Sequence, residues 1–455
     1  MGKGNQNTSS NEGNHSVKQH TWQEITQHDK RHDKWIVIDN EVYDITEWSK
    51  RHPGGSKVIS HYAGQDATQA FHAFHSNIGL TKKYLKAIHK GSLQTSNIKT
   101  ENIDVDFQTL RETVTKMGMF KPSYIFYTLN ILHVVILDVL AYFVLRYFGT
   151  GWLPLLTSLI FTVIVQTQLG WLAHDFGHTS VFGNKYKIDE FMERICMGFM
   201  KGASAKWWNH MHFQHHAKPN VLNKDPDTRL DALFVVGDVM PVQVAEKKKN
   251  SLPYNIQHHY FPLIFPPLVI PVFFLYTATR HMFTRREYLD LLFAVCYWIK
   301  FIYLFGSVLG LGTAIVFHCV MKMLESSWFT WVSQSNHIPM KIEEDNAKPW
   351  LRLQLNATCN VEPSFFNDWF TGHLDFQIEH HLFPTMPRHN LSKVAPLVKS
   401  LCEKHNLSYQ VKPLFQSFTD ITKSLKRSGS IWKKAYSRFH SVKTVDGVNN
   451  NNKSD

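Results

Sequence analysis

The stretch that decides the fold is His210-Met211-His212-Phe213-Gln214-His215-His216. Two further histidine-rich stretches flank it along the chain, His174-Asp175-Phe176-Gly177-His178 and Gln377-Ile378-Glu379-His380-His381. Residues three or four apart share one face of a helix, so each stretch can point two or three polar side chains in one direction. The candidate ligands of one metal centre are His174, His178, His212, His215, His216, His380 and His381, with Gln377 on the same face as the last two.

The number of imidazoles indicates more than one metal ion. Seven exceed the four ligands of a tetrahedral zinc site, whereas seven or eight nitrogen ligands suit two irons. His337, at the end of Gln334-Ser335-Asn336-His337, is a further candidate ligand, and its alternative role is a polar cap of a helix. Neutral ligands predict carboxylates behind them that accept their other ring N–H groups. The candidates are Asp175, Asp225, Asp375 and Glu379, and we expect His210 beside the ligands.

Long apolar runs separate the histidine-rich stretches. Five of them approach the roughly 20 residues that a helix needs to cross a bilayer, namely Tyr124–Leu145, Trp152–Leu172, Tyr260–Tyr276, Tyr288–Phe305 and Val308–Leu324. The third contains four prolines and has Lys or Arg clusters on both sides, which favours an interfacial or re-entrant segment. Four spans then remain, and all three stretches face one side. The alternative is that three of the runs are core helices of a soluble protein.

Composition narrows the class of protein further. Lys and Arg outnumber Asp and Glu by 49 to 37, which favours an anionic partner, and we expect membrane lipid and no nucleic acid. The aromatic content excludes a wholly disordered chain. Five scattered cysteines without a CxxC pair indicate a reducing compartment. The polar N-terminus lacks the apolar core of a signal peptide. The positive-inside rule, combined with four spans, predicts that both termini lie in the cytosol.

A separate motif precedes the apolar runs. His52-Pro53-Gly54-Gly55 follows Tyr43-Asp44-Ile45-Thr46, and His75 lies further on. Two neutral imidazoles that fill both axial positions of a haem iron make an electron carrier, because no site is left for oxygen. This segment resembles the cytochrome b5 family. The resemblance implies one haem b held by His52 and His75, with His61 and His72 as rival imidazoles.

The complete pattern resembles the membrane fatty acid desaturases over residues 18–430. The glutamine that opens the third stretch, together with the fused cytochrome b5-like segment, resembles the front-end branch, and Trp207-Trp208-Asn209-His210 and 365–370 look like its animal members. The implied fold is an α+β haem domain joined to an all-α membrane domain with four transmembrane helices and a cytosolic di-iron cap. We predict a disordered tail over 1–17, a haem domain over 18–92, a linker over 93–121, a desaturase domain over 122–430 and a C-terminal tail over 431–455.

The resemblance also implies a reaction, an O2-dependent insertion of a cis double bond at carbon 5 or 6 of long-chain polyunsaturated acyl chains. Electrons would come from NADH through cytochrome b5 reductase and the fused haem, and the substrate would be an acyl-CoA or a phospholipid acyl chain. We expect a multi-pass protein of the endoplasmic reticulum membrane. Four cations could bind the phosphates of CoA or anionic lipid, namely Lys201, Lys206, Lys218 and Arg388.

Two other functions share these features. A lipid hydroxylase or a sphingolipid desaturase would use the same two irons and the same haem fusion. A histidine-rich metal transporter or a haem-dependent membrane regulator would not be an enzyme.

Overall fold

The computed structural model of the chain describes residues 18–75, 77–94, 102–247 and 252–446. The tail predicted over 1–17 lies outside these ranges, and so does 447–455 of the tail predicted at the other end. The described chain forms an N-terminal α+β domain followed by a mostly helical domain. The predicted fold class is confirmed at this level.

The N-terminal domain is built on one mixed sheet. Its strands are β1 Gln19–His20, β2 Asp29–Lys30, β3 Asp33–Ile38, β4 Glu41–Asp44, β5 Gln65–Asp66 and β6 His89–Leu93, and its helices are α1 Trp22–Ile25, α2 Ser56–Ser60, α3 Thr68–Phe74 and α4 Ile78–Leu85. The strand order is β1-β6-β4-β3-β2, with β5 beside β3. Asp39 and Asn40 join β3 to β4 with φ values of 51° and 63°, which is the backbone that a two-residue hairpin turn requires.

The helical domain is formed by sixteen described helices and one small parallel sheet. The helices are α5 Asn102–Lys116, α6 Tyr124–Phe148, α7 Trp152–Gly177, α8 Tyr186–Arg194, α9 Ala205–Ala217, α10 Val239–Lys247, α11 Gln257–Leu268, α12 Leu275–Arg285, α13 Tyr288–Phe301, α14 Ser307–Leu309, α15 Leu311–Ser335, α16 Trp350–Ala357, α17 Phe365–Thr371, α18 Gln377–Leu382, α19 Leu391–Lys404 and α20 Leu414–Asp446. The sheet pairs β7 Asn360–Val361 with β8 Val411–Lys412.

Four helical segments of the described chain are long and apolar enough to cross a membrane. They are Tyr124–Phe148, Trp152–Gly177, Tyr254–Arg285 and Tyr288–Leu309. Their number equals the predicted number of spans, but one member differs. The proline-rich segment meets the criterion, whereas α15, which contains the predicted span Val308–Leu324 from Leu311 onward, does not. The reason is that α15 carries Lys322 and Glu325, which form a buried ion pair of 2.9 Å.

The proline-rich segment is helical across its prolines, and a side chain of another helix is inserted into its hydrogen-bond ladder. Its α-helical parts, α11 and α12, are joined by a π-helical turn over Val269–Phe274. The hydroxyl of Ser326, on α15, donates to the Pro266 carbonyl and accepts the Ile270 N–H at 3.0 Å. Pro266 and Ile270 are four residues apart, so the hydroxyl takes the place of their direct backbone bond, which is a known cause of local irregularity in a helix. The segment is thus helical, and its interfacial or re-entrant position stays a prediction.

One of the predicted boundaries falls inside a helix, and the predicted linker itself contains another helix. Residues 102–116 of the predicted linker form α5, whose buried side chains include Ile103, Phe107 and Val114, and Phe107 stacks on Phe383 at 5.7 Å. At the other end, α20 continues without interruption from Leu414 to Asp446, across the boundary predicted at 430.

The N-terminal domain docks on the end of α9, next to the second histidine-rich stretch. The Tyr62 hydroxyl donates to the Ala217 carbonyl at 2.7 Å. Gln65 accepts from the Lys218 ammonium at 2.7 Å and donates to Asp345 at 2.8 Å. The Lys218 ammonium also lies 4.6 Å from the centre of the Tyr62 ring. This contact places α2 and α3 against the helix that carries most of the candidate ligands.

Candidate metal centre and haem pocket

Five imidazoles from all three histidine-rich stretches converge inside the helical domain. His174 and His178 lie at the end of α7, His212 and His216 lie one turn apart on α9, and His380 lies on α18. Their ligand nitrogens are all within 4.8 Å of one another. The Nε2 atom of His212 is 2.9 Å from that of His178 and 3.1 Å from that of His216. The Nε2 atoms of His216 and His380 are 3.0 Å apart.

These separations fit ligands of one metal ion. An ion–nitrogen bond of roughly 2.1 Å places neighbouring ligands of an octahedral ion about 3.0 Å apart. Burial, reinforced by the neighbouring imidazoles, holds the pKa of His212, His216 and His380 well below the ordinary value. Neutral imidazole is the form that binds a metal. This five-histidine group therefore fits an iron ion.

A second group of three imidazoles lies beside the first. His215 on α9, His337 after α15 and His381 on α18 bring their ligand nitrogens within 4.8 Å of one another. Each Nδ1 atom faces an acceptor at 2.9–3.0 Å, respectively Asp225 Oδ2, the Ala357 carbonyl and Gln354 Oε1. Such bonds fix the tautomer and leave Nε2 as the ligand atom. The His381 Nε2 atom is buried without a hydrogen-bond partner among the described residues, as a ligand of a second ion would be.

The structure thus brings all eight candidate histidines into two adjacent groups. His337, the least certain candidate from the sequence, belongs to the second group. The side-chain nitrogen of Gln377 lies 2.9 Å from the His337 Nε2 atom. His210, expected beside the ligands, instead faces the other way, with its ring 5.5 Å from that of His281.

The four predicted carboxylates differ in what they contact. Asp225 accepts from His215, as predicted. Burial, the largest influence, lowers the pKa of His215, but Asp225 and Asp227 together raise it to about 9. The other three bind non-ligand partners: Asp175 pairs with Arg388 at 3.1 Å, Glu379 accepts from Asn360 and Tyr409 at 2.8 Å, and Asp375 accepts from Thr371 at 3.0 Å. Behind His337 and His381 the hydrogen-bond acceptors come from α16 instead of from these carboxylates. No sequence motif indicated these acceptors.

A second pocket lies in the N-terminal domain, between His52 and His75. Their ring centres are 6.1 Å apart, and two imidazoles bonded to one iron at roughly 2.0 Å hold their ring centres about 6 Å apart. His75 Nδ1 donates to the Phe71 carbonyl at 2.8 Å and His52 Nδ1 lies 3.3 Å from the Gly55 carbonyl. Both Nε2 atoms are therefore left for the iron of a haem.

The rival imidazoles do not belong to this pocket. His72 Nε2 lies 2.8 Å from Asp39 Oδ1, and neither His61 nor His72 lines the cavity between His52 and His75. Gly54 allows the close packing of the ligand, since a Cβ atom there would lie 3.0 Å from His52 Cε1. The structure thus favours His75 over His72.

One cavity connects the two sites. It measures about 570 Å³, and its lining runs from His52 and His75 to His178 of the five-histidine group. Phe213 lies in the interval, with its ring 6.4 Å from that of Phe74 in the N-terminal domain and 6.0 Å from that of His178. Phe213 was not predicted from the sequence, although it stands between His212 and His215 in the second stretch.

Comparisons with known proteins agree with this geometry. The chain matches the family model for fatty acid desaturase over residues 150–413 and that for the cytochrome b5-like heme/steroid binding domain over residues 21–94. Among solved structures, cytochrome b5 of Ostreococcus tauri virus 2 is 38% identical, with a TM-score of 0.16, and the match covers 16% of this chain and 95% of that one.

Site and matches together define the class of protein as an oxygen-dependent di-iron oxidoreductase with its own haem-binding domain. More narrowly, the chain belongs to the fatty acid desaturase family, since that match covers more than half of its length. The architecture is that of a front-end desaturase. The predicted enzyme class, the haem and the use of an acyl chain, O2 and transferred electrons are confirmed at this level, and the histidine groups are consistent with two irons.

The cations expected at a phosphate are all paired within the chain. Lys201 pairs with Glu325, Lys206 with Glu190, Lys218 with Asp345 and Arg388 with Asp175. Lys201, Lys218 and Arg388 are also buried. The structure therefore does not favour these four side chains as the site of a CoA phosphate.

Proposed function

We propose that this desaturase is a front-end enzyme that introduces a cis double bond at carbon 5 or 6 of long-chain polyunsaturated acyl chains. The fused cytochrome b5-like and desaturase domains support the front-end assignment. The observation that supports electron transfer between them is one cavity that reaches both the haem pocket and His178. We propose that the haem domain, docked beside the histidine groups, is the electron donor. Its covalent tether raises its local concentration at the metal centre. NADH, acting through cytochrome b5 reductase, is the proposed source of the electrons.

The proposed ligands of the two irons are the eight histidines of the two groups. His174, His178, His212, His216 and His380 would hold one ion, and His215, His337 and His381 would hold the other. Gln377, which contacts His337, borders the second group. When bound, the irons supply the oxidising power that an unactivated C–H bond requires. The chain supplies the imidazoles and keeps them buried.

The proposed topology has α6, α7, α13 and α15 as spans and the segment α11–α12 on the cytosolic side. Both ends of that segment support this arrangement. At one end Gln257 donates to the carbonyls of Val235 and Leu425 at 2.8 and 2.7 Å. At the other end His281 lies beside His210, on the helix that carries the second histidine-rich stretch. Both ends therefore reach the side of the histidine groups, which we place at the cytosolic face of the endoplasmic reticulum with both termini.

The proposed substrate is an acyl chain carried by CoA or by a phospholipid. The carrier anchors the carboxyl end of the acyl chain and so holds the chain at one depth. This depth determines which carbon atom meets the irons. A front-end enzyme counts from the carboxyl end, so the new double bond would lie between the carboxyl group and the existing double bonds.

The test is expression in yeast fed with defined polyunsaturated fatty acids, followed by gas chromatography of the products. The expected product has one new cis double bond at carbon 5 or 6. A hydroxylated acid, or a double bond on the methyl side of existing ones, would replace the proposal with a hydroxylase or another desaturase. His178→Ala and His381→Ala should abolish the product while the protein still inserts and accumulates. Undiminished product in both variants would contradict the proposed metal centre.

A further inference from the structure

A buried carboxyl group and a buried amide oxygen lie beside the end of α7. Glu193, on α8, is 1% exposed, and its Oε2 atom accepts from the Asn209 side-chain nitrogen, on α9, at 2.8 Å. The other oxygen of each side chain, Glu193 Oε1 and Asn209 Oδ1, is buried and has no hydrogen-bond partner in the described part of the chain. An unpaired carboxylate oxygen in the interior is unfavourable, whereas a protonated carboxyl group brings its own donor to such a place.

Both unpaired oxygens approach the residue that precedes a candidate iron ligand. A Cβ atom on Gly177 would lie 2.8 Å from Asn209 Oδ1 and 3.2 Å from Glu193 Oε1. Gly177 is followed by His178, and Gly177, His178, Glu193 and Asn209 all line the cavity that joins the haem pocket to the five-histidine group. The carboxyl group therefore faces the space next to that group.

The charges around Glu193 favour its neutral form. Burial, with a smaller contribution from Asp290, raises the pKa of Glu193 to about 8. The Asn209 hydrogen bond and the cations of Lys206 and Arg194 act in the opposite direction. The two cations are themselves neutralised. Arg194 pairs with Asp290 at 2.9 Å and with Glu190 at 3.0 Å, and Lys206 pairs with Glu190 at 2.5 Å. His178, after α7, is the titratable group that faces the cavity from that helix.

The same cavity leads outward to solvent. Tyr186, Glu190 and Lys206 line it beyond Glu193, and they are exposed or half-buried, with Tyr186 exposed by 51%. A proton from water thus has a polar route past the Lys206–Glu190 pair to a carboxyl group that otherwise lies in the interior.

The reaction of a desaturase needs such a route. O2 takes two hydrogens from the acyl chain and two electrons from the haem domain, so two protons must come from water: O2 + 2 H⁺ + 2 e⁻ + –CH2–CH2– → –CH=CH– + 2 H2O. We infer that Glu193 is the proton relay of this reaction and that Asn209 holds its carboxyl group in place, an inference that rests on the proposed desaturase activity. Glu193 Oε1 releases its proton into the cavity beside His178 and is reprotonated from solvent past Glu190 and Lys206.

The test compares full-length wild type with Glu193→Gln, which keeps the shape and the contact with Asn209 but carries no acidic proton. Turnover should fall by about 100-fold, with haem spectrum and iron content unchanged, and more of the consumed electrons should appear as peroxide. Glu193→Asp should restore part of the turnover. The wild-type rate should fall above about pH 8, where Glu193 loses its proton, and the residual rate of Glu193→Gln should lack this step. Glu344→Gln, on an exposed side chain, is the control.

A second readout does not depend on turnover. Infrared titration of the full-length protein should show the C=O band of a protonated carboxyl group that disappears near pH 8 and is missing in Glu193→Gln. Wild-type turnover in Glu193→Gln, loss of its iron or haem, or absence of the band would each overturn the inference. A wild-type protein that makes no double bond would instead refute the proposed function, and the infrared band would still report on Glu193.

Discussion

The Nε2 atom of His337 lies 2.9 Å from the side-chain nitrogen of Gln377. The other ring nitrogen of His337 is engaged by the Ala357 carbonyl at 2.9 Å, so Nε2 is the atom left for a metal. We expect His337→Ala to lose a large part of the bound iron, because it removes one of three imidazoles from the second group. Metal analysis of the purified full-length protein measures this loss. His259→Ala, on an exposed side chain, should keep the wild-type iron content.

Gln377→His should retain at least part of the activity. An imidazole at this position stands next to the second group and can serve as a further ligand, which the glutamine amide provides only weakly. Product analysis in yeast, with iron content measured in parallel, checks this expectation. A variant that binds iron normally but forms no product would show instead that the amide itself positions the substrate or tunes the metal.

His52→Ala and His75→Ala should each abolish the low-spin b-type spectrum of the full-length protein. Each substitution removes one of the two axial imidazoles, whose rings are 6.1 Å apart, and opens the iron to water. His72→Ala is the matched control, since its ring contacts Asp39 instead of the pocket. A normal spectrum in His75→Ala, together with its loss in His72→Ala, would reverse the assignment of the second ligand.

The histidine groups could be predicted from the sequence because the spacing of the histidines repeats the period of a helix. His212 and His216 are four residues apart and share a face of α9, which is a local property. The contacts of the Ala357 carbonyl and the Gln354 amide could not be predicted, since only the tertiary fold brings α16 behind His337 and His381. Burial likewise distinguishes Glu193 from Glu190, the other acidic residue of the described cavity lining, and no local pattern signals it.

Two helical segments differ from what the sequence predicted. The helix α5 has an apolar period in Ile103, Phe107 and Val114 that composition alone concealed. The proline-rich segment is helical although its prolines favour an interfacial or re-entrant segment, and the Ser326 hydroxyl that bonds to its backbone comes from a distant part of the chain. Contacts between distant segments therefore account for both differences.

Phe213→Ala should slow the reoxidation of reduced haem by O2 and substrate several-fold. The ring fills the interval between Phe74 and His178, at 6.4 and 6.0 Å, and its removal opens a gap that water can enter. Stopped-flow spectroscopy of the haem in the full-length protein measures the rate. Phe415→Ala, which truncates an exposed ring, should leave it unchanged. An unchanged rate in Phe213→Ala would exclude this ring from the electron path.

Asp345→Asn should weaken the docking of the haem domain in a pH-dependent way. Burial alone would raise the pKa of Asp345, but Lys218, Lys224 and the Gln65 hydrogen bond hold it well below its usual range. A carboxyl group with a depressed pKa stabilises the folded state above its unfolded value, near 3.8, and this stabilisation is lost as the pH falls through the folded value. At pH 7 the substitution should therefore cost roughly 2–4 kcal/mol, because it leaves the buried Lys218 without its carboxylate.

The measurement is the free energy of unfolding of the full-length protein, followed by haem absorbance at pH 7 and at successively lower pH. The difference between wild type and Asp345→Asn should shrink below about pH 4. Glu344→Gln removes a neighbouring carboxylate that contacts Gln243 instead of the haem domain, and it should have little effect. A difference that is independent of pH would contradict the ionic character of this contact.

Ser326→Ala should destabilise the helical domain more than Ser327→Ala. The Ser326 hydroxyl satisfies the Pro266 carbonyl and the Ile270 N–H of the proline-rich segment, and both groups would be left unpaired in apolar surroundings, at a cost of about 2–4 kcal/mol. The adjacent Ser327 hydroxyl only returns to the Met323 carbonyl of its own helix at 2.9 Å. Thermal unfolding of the two variants in the same detergent compares them directly. Equal unfolding midpoints would show that the segment completes its hydrogen bonds without α15.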